Sequence, residues 1–467
     1  MDKIALIKLA LEISENRYET QNLEVKSAKI DCPKRLYDTL SSFSNQDSGG
    51  TILFGIDEEN DFAIVGVYNA HDLQKRISEQ CEQMEPICRP LFTVAEIEGK
   101  TIVSAEVPSI DFAERPCFYK GKGVTKGSYI RVGDSDSPMT SYEVYRYEAY
   151  RKQARDDLRI LENISLEQLN TQKITKFLEL AKTDKANLSN VEDKKVLELL
   201  GIIHNGRATL TGWILFNDYP QSIFPQFGIT AVVVPGTQMG ETNTQGVRFI
   251  DNKRFDGDFQ TILDGTEKFI IRNMQNNTII NDEGKRADKY EYPIRAIREI
   301  LLNALMHRDY SVFSESMPVA VEMYRDRLEI TNPGGLYGRI NISDLGKTKT
   351  EVRNVTLVNA LEILGVAENR HSGIPTIRLE MEKNNLPLPV FKDCRGEFKV
   401  ILYNHFNDIQ EFCQKPRSRL EIAEFLKCTP DYAMANKIVP LLEEGKLAMT
   451  MPHKPKSKLQ KYYSLVL

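Results

Sequence analysis

The chain has 467 residues, of which 41% are hydrophobic, 27% charged and 9% aromatic. At about 100–200 residues per domain this length calls for three or four domains, and the composition excludes a mainly disordered, collagenous or coiled-coil polypeptide. The net charge of −5 supplies no global attraction to nucleic acid, so any such binding must rest on local basic patches. No apolar run approaches the roughly 18 residues that span a bilayer, and MDKIALIKLALEISENRYE carries acidic residues through its apolar stretch, unlike a signal peptide. A cytoplasmic protein with no membrane partner is expected. The seven cysteines (Cys32, Cys81, Cys88, Cys117, Cys394, Cys413, Cys428) are scattered and include no CxxC pair, which argues against a disulfide framework and a zinc module.

Taken in chain order, TILFGIDEENDFAIVGV (Thr51 to Val67) reads as a β-hairpin, two apolar runs about a polar turn. TVAEIEGKTIVSAEVP repeats that pattern around Glu98 and Gly99, and GSYIRVG adds a strand. Between the hairpins, Leu73, Ile77 and Cys81 have helical spacing. The charged stretch from Ser141 to Ile164 reads as a connector helix, its tyrosines covering one face. Next come a helix at KKVLELLGII, a turn at Asn205 and Gly206, and strands around GWILFN and FGITAVVVPG, with Trp213 in the core. IRAIREILLNALMHRDY is one long helix entered through Pro293, followed by strands PVAVEMY and RLEITNPGG. From about His405, three short helical patterns precede two strands that flank a basic loop, the element order of a winged helix. The expected division is 1–150, 151–290, 291–404 and 405–467.

On the long helix, Glu299 and Asn303 are four apart and leave the same face. An amide oxygen suits Mg²⁺, which keeps several waters and takes few protein ligands, and a neighbouring carboxylate can orient an attacking water. Taken alone the pair reads as a solvated helix face. The strings REILLNALMHRDY, ITNPGG and SGIPTIR together resemble the divergent branch of the GHKL (Bergerat-fold) ATPases. That resemblance implies an α/β sandwich binding ATP and Mg²⁺, with Glu299 as base and Asn303 as metal ligand. It also implies Asn332, Gly334 and Gly335 in the first nucleotide-binding box, Gly373 in the second, and Leu336 to Arg370 as the lid. Asn332 stands where the superfamily has an adenine-reading Asp, and His371-Ser372-Gly373 where Gly-x-Gly is usual. Two GKT strings, at Gly99 and Gly346, lack the Gly five positions earlier that a P-loop requires, Val94 and Asn341 standing there. Of the six histidines only His307, at the end of the long helix, invites a test.

In LEVK, Glu24 and Lys26 share a strand face, Glu19 precedes them, and Asp57 and Glu58 end the next strand. Such carboxylates either bind a divalent ion that cleaves a phosphodiester or form a surface ion-pair cluster. The order YETQNLEVK, LSSFSNQDSGGTILFGIDEEN, IVGV, GSYIRVGDSDSPMTSYEV resembles the Schlafen AlbA-type domain over residues from about 15 to 145. The resemblance implies nucleic-acid binding and, in animal members, RNA cleavage by carboxylates at the positions of Glu19, Glu24 and either Asp57 or Glu58. Bacterial chains of this domain order are described as transcriptional regulators.

RPCFYKGKGVTKGSYIR holds Arg115, Lys120, Lys122, Lys126 and Arg131 with no acid, interleaved with Phe118, Tyr119 and Tyr129. Cations for phosphates and rings for stacking suit single strands or irregular RNA. The C-terminal loop adds Lys454, Lys456, Lys458 and Lys461. The helix before it, with Asp431, Glu443 and Glu444, has little basic character, so the loop has either phosphate or protein as its partner. The expectation is a multidomain α+β chain with a Schlafen AlbA-type domain, a Bergerat-fold sandwich and a winged helix, acting as an ATP-binding, DNA- or RNA-binding regulator. The alternatives are a metal-dependent nuclease gated by ATP and a protein-interaction ATPase. A homo-oligomer is left open.

Overall fold

The computed structural model describes every residue except 244, 281–285, 350, 368–371, 395, 405–407, 427–428, 444, 456, 458 and 466–467. The chain forms two compact units, Met1–Ala154 and Arg155–Leu467. No helix among the described residues is long and apolar enough to cross a membrane.

The first unit is a four-stranded sheet covered on both faces. Its strand order is Leu23–Lys26, Gly50–Phe54, Lys100–Val107, Leu91–Ile97, and only the first pair is parallel. Successive side chains leave a strand on opposite faces. Ile52 and Phe54 therefore pack with Leu40, Phe43, Leu73 and Ile77 of the helices Tyr37–Asn45 and Ala70–Cys81, as the Leu73, Ile77, Cys81 spacing predicts. Leu53 turns the other way, joining Leu6, Ala10 and Ile13 of the helix Lys3–Asn16. The expected hairpin about Glu98 and Gly99 forms, both residues at positive φ. The first one is shorter than expected: Gly55, at φ +100°, breaks the strand, and only Ile56–Asp57 pairs with Ala63–Ile64. The run Gly50–Phe54 belongs instead to the main sheet.

The connector helix stops at Arg151, and Ile160–Ser165 is a strand. The run GWILFN is not strand either. Leu210–Phe216 is a helix with all seven residues buried, capped by Thr209 accepting from Gly212 N. A wholly apolar run carries no period that would distinguish the two. Trp213 is core, its indole N–H donating to Pro220 O.

The second unit is built on a six-stranded sheet in the order Asp251–Phe255, Ile229–Val233, Val319–Met323, Arg327–Pro333, Glu397–Tyr403, Val390–Asp393. It draws strands from both sides of residue 290. Ile229–Val233 runs parallel to Val319–Met323, and every other neighbouring pair is antiparallel. The helices Phe259–Asn273, Ile294–Met306, Val355–Ile363 and Gly373–Lys383 share one continuous core with this sheet. Pro293 is the N-cap of the second of them.

At the C-terminal end, the helical segments Asp408–Phe412, Arg419–Phe425, Pro430–Ala433 and Val439–Glu443 pack with a small sheet around Ile422, Ile438, Leu447 and Tyr462. The strand order of that sheet is Arg417–Ser418, Lys461–Ser464, Leu447–Met449. The loop between its last two strands is the basic one, and Lys454 there is exposed. Lys456 and Lys458 lie outside the described residues, as do His371, Cys428 and Glu444.

Candidate functional site

The helix Ile294–Met306 has eight buried residues along its length, so Glu299 and Asn303 are held on a rigid, tightly packed support. The Asn303 amide donates to Glu299 Oε1 at 3.0 Å, which leaves its carbonyl oxygen as a hard donor at the cavity wall. Against this pair comes the start of the helix Gly373–Lys383. A Cβ at Gly373 would lie 2.3 Å from Glu299 Oε1 and 3.0 Å from Asn303 Nδ2. A larger residue there would have to push the Glu299 carboxylate aside, and the glycine puts a helix N-terminus beside the pair. Ser372, at the N-cap, makes no side-chain capping bond. Amides at such an end attract anions.

Next to the pair lies a cavity of about 150 Å³. Its floor is sheet: Ile330 and Asn332 alternate onto one face of their strand, opposite Val400 and Phe398 in register. Its walls come from Ile300, Ala304 and His307 of the long helix and from Ile374 and Ile377. Asn332 is 5% exposed, and its Oδ1 is buried without a hydrogen-bond partner. Burial and the Arg353 guanidinium push the His307 imidazole down to about 4, so it stands neutral here at pH 7. Asn303, which lines the cavity, has one amide oxygen that could serve a cation. No cluster of three or more His, Cys, Asp or Glu that could hold a metal occurs among the described residues. One amide oxygen is a small donor set, of the kind Mg²⁺ takes when water or phosphate fills most of its shell.

The Gly334–Gly335 turn is tight for a reason internal to the protein. Gly334 has φ +100°, and a Cβ there would meet Arg353 Nη1 and Asp309 Cβ; one on Gly335 would meet Asp393. Arg353 is 9% exposed, donates to Gly335 O at 3.0 Å and lies 3.5 Å from Asp309. It fixes the turn that bounds the cavity. Sequence reasoning missed it, because nothing local distinguishes it from any other lid arginine.

In the first unit the carboxylates do come together, but around a cation of the protein itself. Arg131, 2% exposed, reaches Glu24 Oε2 at 2.8 Å, Glu19 Oε2 at 3.7 Å and Asp136 Oδ1 at 3.0 Å. Lys26 Nζ takes the other Glu24 oxygen at 2.5 Å. Glu19 accepts from Val25 N at 2.6 Å, and burial, then the charges of Glu24 and Glu58, push its carboxyl up to about 7. Asp57 sits half-buried at a strand end and joins no metal-holding cluster among the described residues. The ion-pair cluster, one of the two readings of these carboxylates, is the arrangement observed, with both Glu24 oxygens paired to cations.

Two of the expected phosphate contacts are corrected by burial. Arg131 is locked in the network just described, and Arg115, 6% exposed, pairs with Asp47 at 2.8 Å and donates to Ile110 O. An arginine with its fork committed inside the domain is not offered to a phosphate. Lys120, Lys122 and Lys126 are exposed. They lie on a 3₁₀ turn, Lys120–Lys122, and a short helix, Gly123–Gly127. Beside them the Tyr37 and Tyr119 rings stack with centroids 3.9 Å apart, and Lys122 lies over the Tyr129 ring while donating to its hydroxyl.

Residues 19–140 match the family model described as "Schlafen, AlbA_2". Residues 316–402 match "Putative ATP-dependent DNA helicase recG C-terminal", the HATPase_c_4 model, and residues 147–230 match a "Domain of unknown function (DUF8451)". No curated protein matches. Among solved structures, the DIP2311 protein from Corynebacterium diphtheriae is similar at 17% identity, with 95% of this chain and 92% of that one covered and a TM-score of 0.42. The N-terminal domain of a "Putative ATP-dependent DNA Helicase RecG-related Protein" from Nitrosomonas europaea is similar at 26% identity, over 29% of this chain and 93% of that one, with a TM-score of 0.24. By these two family matches the chain carries an N-terminal Schlafen AlbA_2 domain and, toward its C-terminus, a RecG-like HATPase_c_4 domain that includes the strands of the cavity floor.

Proposed function

We propose that this protein is an ATP-binding, nucleic-acid-binding regulator of transcription. The observation that carries the nucleotide half is the meeting of Gly373 with the Glu299–Asn303 pair at the mouth of an apolar cavity. A base fits the cavity, phosphates meet the amides at the start of the helix Gly373–Lys383, and Asn303 supplies one oxygen to the accompanying Mg²⁺. In this reading Glu299 takes the proton of an attacking water. The metal, when bound, neutralises phosphate charge; the remaining tasks, base burial and anion placement, belong to the chain's own residues. The family match over residues 316–402 supports the same reading.

The nucleic-acid half rests on the AlbA_2 match and on the exposed lysines 120, 122 and 126 beside the stacked Tyr37 and Tyr119. Read as a winged helix, the C-terminal segment offers Lys454 as a second phosphate contact. Regulation of transcription is the use we assign to this pair of activities. Isothermal titration with ATP and Mg²⁺ tests the site: binding in the micromolar range or weaker is expected, with loss in Asn303→Ala. No heat from the wild type, or unchanged heat from the variant, would refute it. Metal-dependent RNA cleavage by Glu19, Glu24 and Asp57 is the less favoured use of the first unit, since Lys26 and Arg131 already neutralise Glu24. Structured RNA incubated with Mn²⁺ is expected to stay whole; cutting that EDTA stops and Glu24→Gln abolishes would reverse that choice.

A further inference from the structure

The helix Val355–Ile363 starts without a side-chain cap of its own. Asn354, at its N-cap, is of a residue type that suits the position, yet it makes no capping bond. Its amide nitrogen donates instead to Met306 O at 2.9 Å and Arg308 O at 2.8 Å, where the helix bearing Glu299 and Asn303 ends. The cap comes from 199 positions away: Asp157, 0% exposed, accepts from Thr356 N, at the second helical position, at 2.6 Å. Arg155 ties these two residues together, its Nε donating to Asp157 Oδ1 at 3.1 Å and its Nη2 to Thr356 Oγ1 at 2.6 Å. The 3₁₀ turn that carries Asp157, Asp156–Leu158, is anchored by the Thr211 hydroxyl, which donates to Asp157 O at 2.8 Å. A fully buried carboxylate is costly unless a cation and hydrogen-bond donors meet it, and Asp157 has both.

Resting on the nucleotide reading above, we propose that Asp157 is a positioning residue for the nucleotide site, and that through it residues 155–158 and nucleotide occupancy are coupled. Asp157 lies outside the residues matched to the ATPase model, 316–402, and inside those matched to the domain of unknown function, 147–230. The helix start that it caps is fixed on two further sides. Asn354 binds it to the end of the long helix, and Arg353, which lines the cavity, holds the Gly335 carbonyl. Loss of the cap frees Thr356, and with it the two residues that set the cavity wall and the Gly334–Gly335 turn. Because Asn354 is committed to the long helix, it cannot take over as cap without releasing those carbonyls. The coupling is reciprocal, so a nucleotide that orders Arg353 and the turn also steadies residues 155–158.

Hydrogen exchange on the full chain, with and without ATP and Mg²⁺, reads the coupling directly. The amides of Leu158 and Arg159, which close the turn onto Arg155 O and Asp156 O, are expected to exchange at least about threefold more slowly when ATP is bound. Titration with fluorescent N-methylanthraniloyl-ATP is expected to show about fivefold weaker binding in Asp157→Ala, the worth of a lost cap. Asp157→Asn keeps an acceptor for Thr356 N and is expected to bind within about twofold of the wild type. A cap that served stability alone would lower the thermal midpoint of Asp157→Ala and leave its affinity for the nucleotide unchanged. That result, an Asn variant no tighter than the Ala variant, or a wild type that binds ATP without slower exchange at Leu158 and Arg159 overturns the coupling and leaves the nucleotide site standing. Failure of ATP to bind the wild type overturns site and coupling together. The wild-type exchange decides the matter even if the Ala variant does not fold.

Discussion

Gly373 is the residue on which the proposed nucleotide site turns, and the role proposed for it is steric rather than conformational. With Glu299 Oε1 only 2.3 Å from where a Cβ would stand, Gly373→Val must displace either the carboxylate or the helix start. ATP heat is expected to fall by an order of magnitude or more in that variant while the thermal midpoint changes little, because the site borders a cavity rather than the core. Glu299→Gln is expected to keep binding and lose any turnover, since an amide preserves shape but cannot take a proton; unchanged turnover in a phosphate-release assay would remove Glu299 from that role. The spacing of Glu299 and Asn303 was legible in the sequence because a helix repeats every 3.6 residues. Their closeness to Gly373, seventy positions later, was not.

Glu19 gives a pH prediction whose sign follows from its raised pKa. The folded chain keeps this carboxyl protonated up to about 7, whereas the unfolded chain releases the proton near 4.5. Its stabilising contribution is therefore complete below 4.5 and is lost as pH rises through 7. Glu19→Gln, which preserves the acceptor for Val25 N, is expected to raise the thermal midpoint at pH 8 and leave it nearly unchanged at pH 5. The upper bound is about 3 kcal/mol for the full shift, at 1.36 kcal/mol per unit. Equal effects at both pH values would show that the carboxyl ionises normally.

At the scale of elements, the lysine-bearing 3₁₀ turn and short helix form an interface prediction. Replacing Lys120, Lys122 and Lys126 by Ala is expected to weaken binding to a single-stranded oligonucleotide and to reduce the slope of log affinity against log salt by about 2, at roughly 0.7 per phosphate contact. A salt-independent affinity in the parent would count against the patch. Five basic residues looked equivalent in the sequence, and burial separated them. Arg115 and Arg131 turn inward to Asp47 and to the Glu24–Asp136 pair, contacts between residues up to 107 positions apart that no local pattern reports. The helix Leu210–Phe216 has the same lesson from the apolar side, because a fully buried segment loses the polar positions that would mark its period.

For the whole molecule, the sheet sets where the chain can be cut. A fragment of residues 155–467 retains all six strands and is expected to stay soluble and to bind ATP as the intact chain does. A fragment starting at 291 loses Ile229–Val233 and Asp251–Phe255, which leaves Val319–Met323 as a bare apolar edge. That fragment is expected to aggregate, since an unpaired hydrophobic edge strand recruits other chains; a monodisperse, ATP-binding 291–467 on size exclusion would contradict it.

What the sequence determined by itself was local. Helical and strand periods, the glycines of the two turns, the Glu299–Asn303 spacing and the lysine clusters all follow from preferences that act within a few residues. Tertiary structure decided which charges face water, which carboxylates are already neutralised by Arg131 and Lys26, and that the Asn332 amide oxygen is buried without a partner. Those outcomes depend on elements far apart in the chain packing together, and burial, which arises only then, turns an ordinary side chain into an ion-pair clamp or an unsatisfied amide.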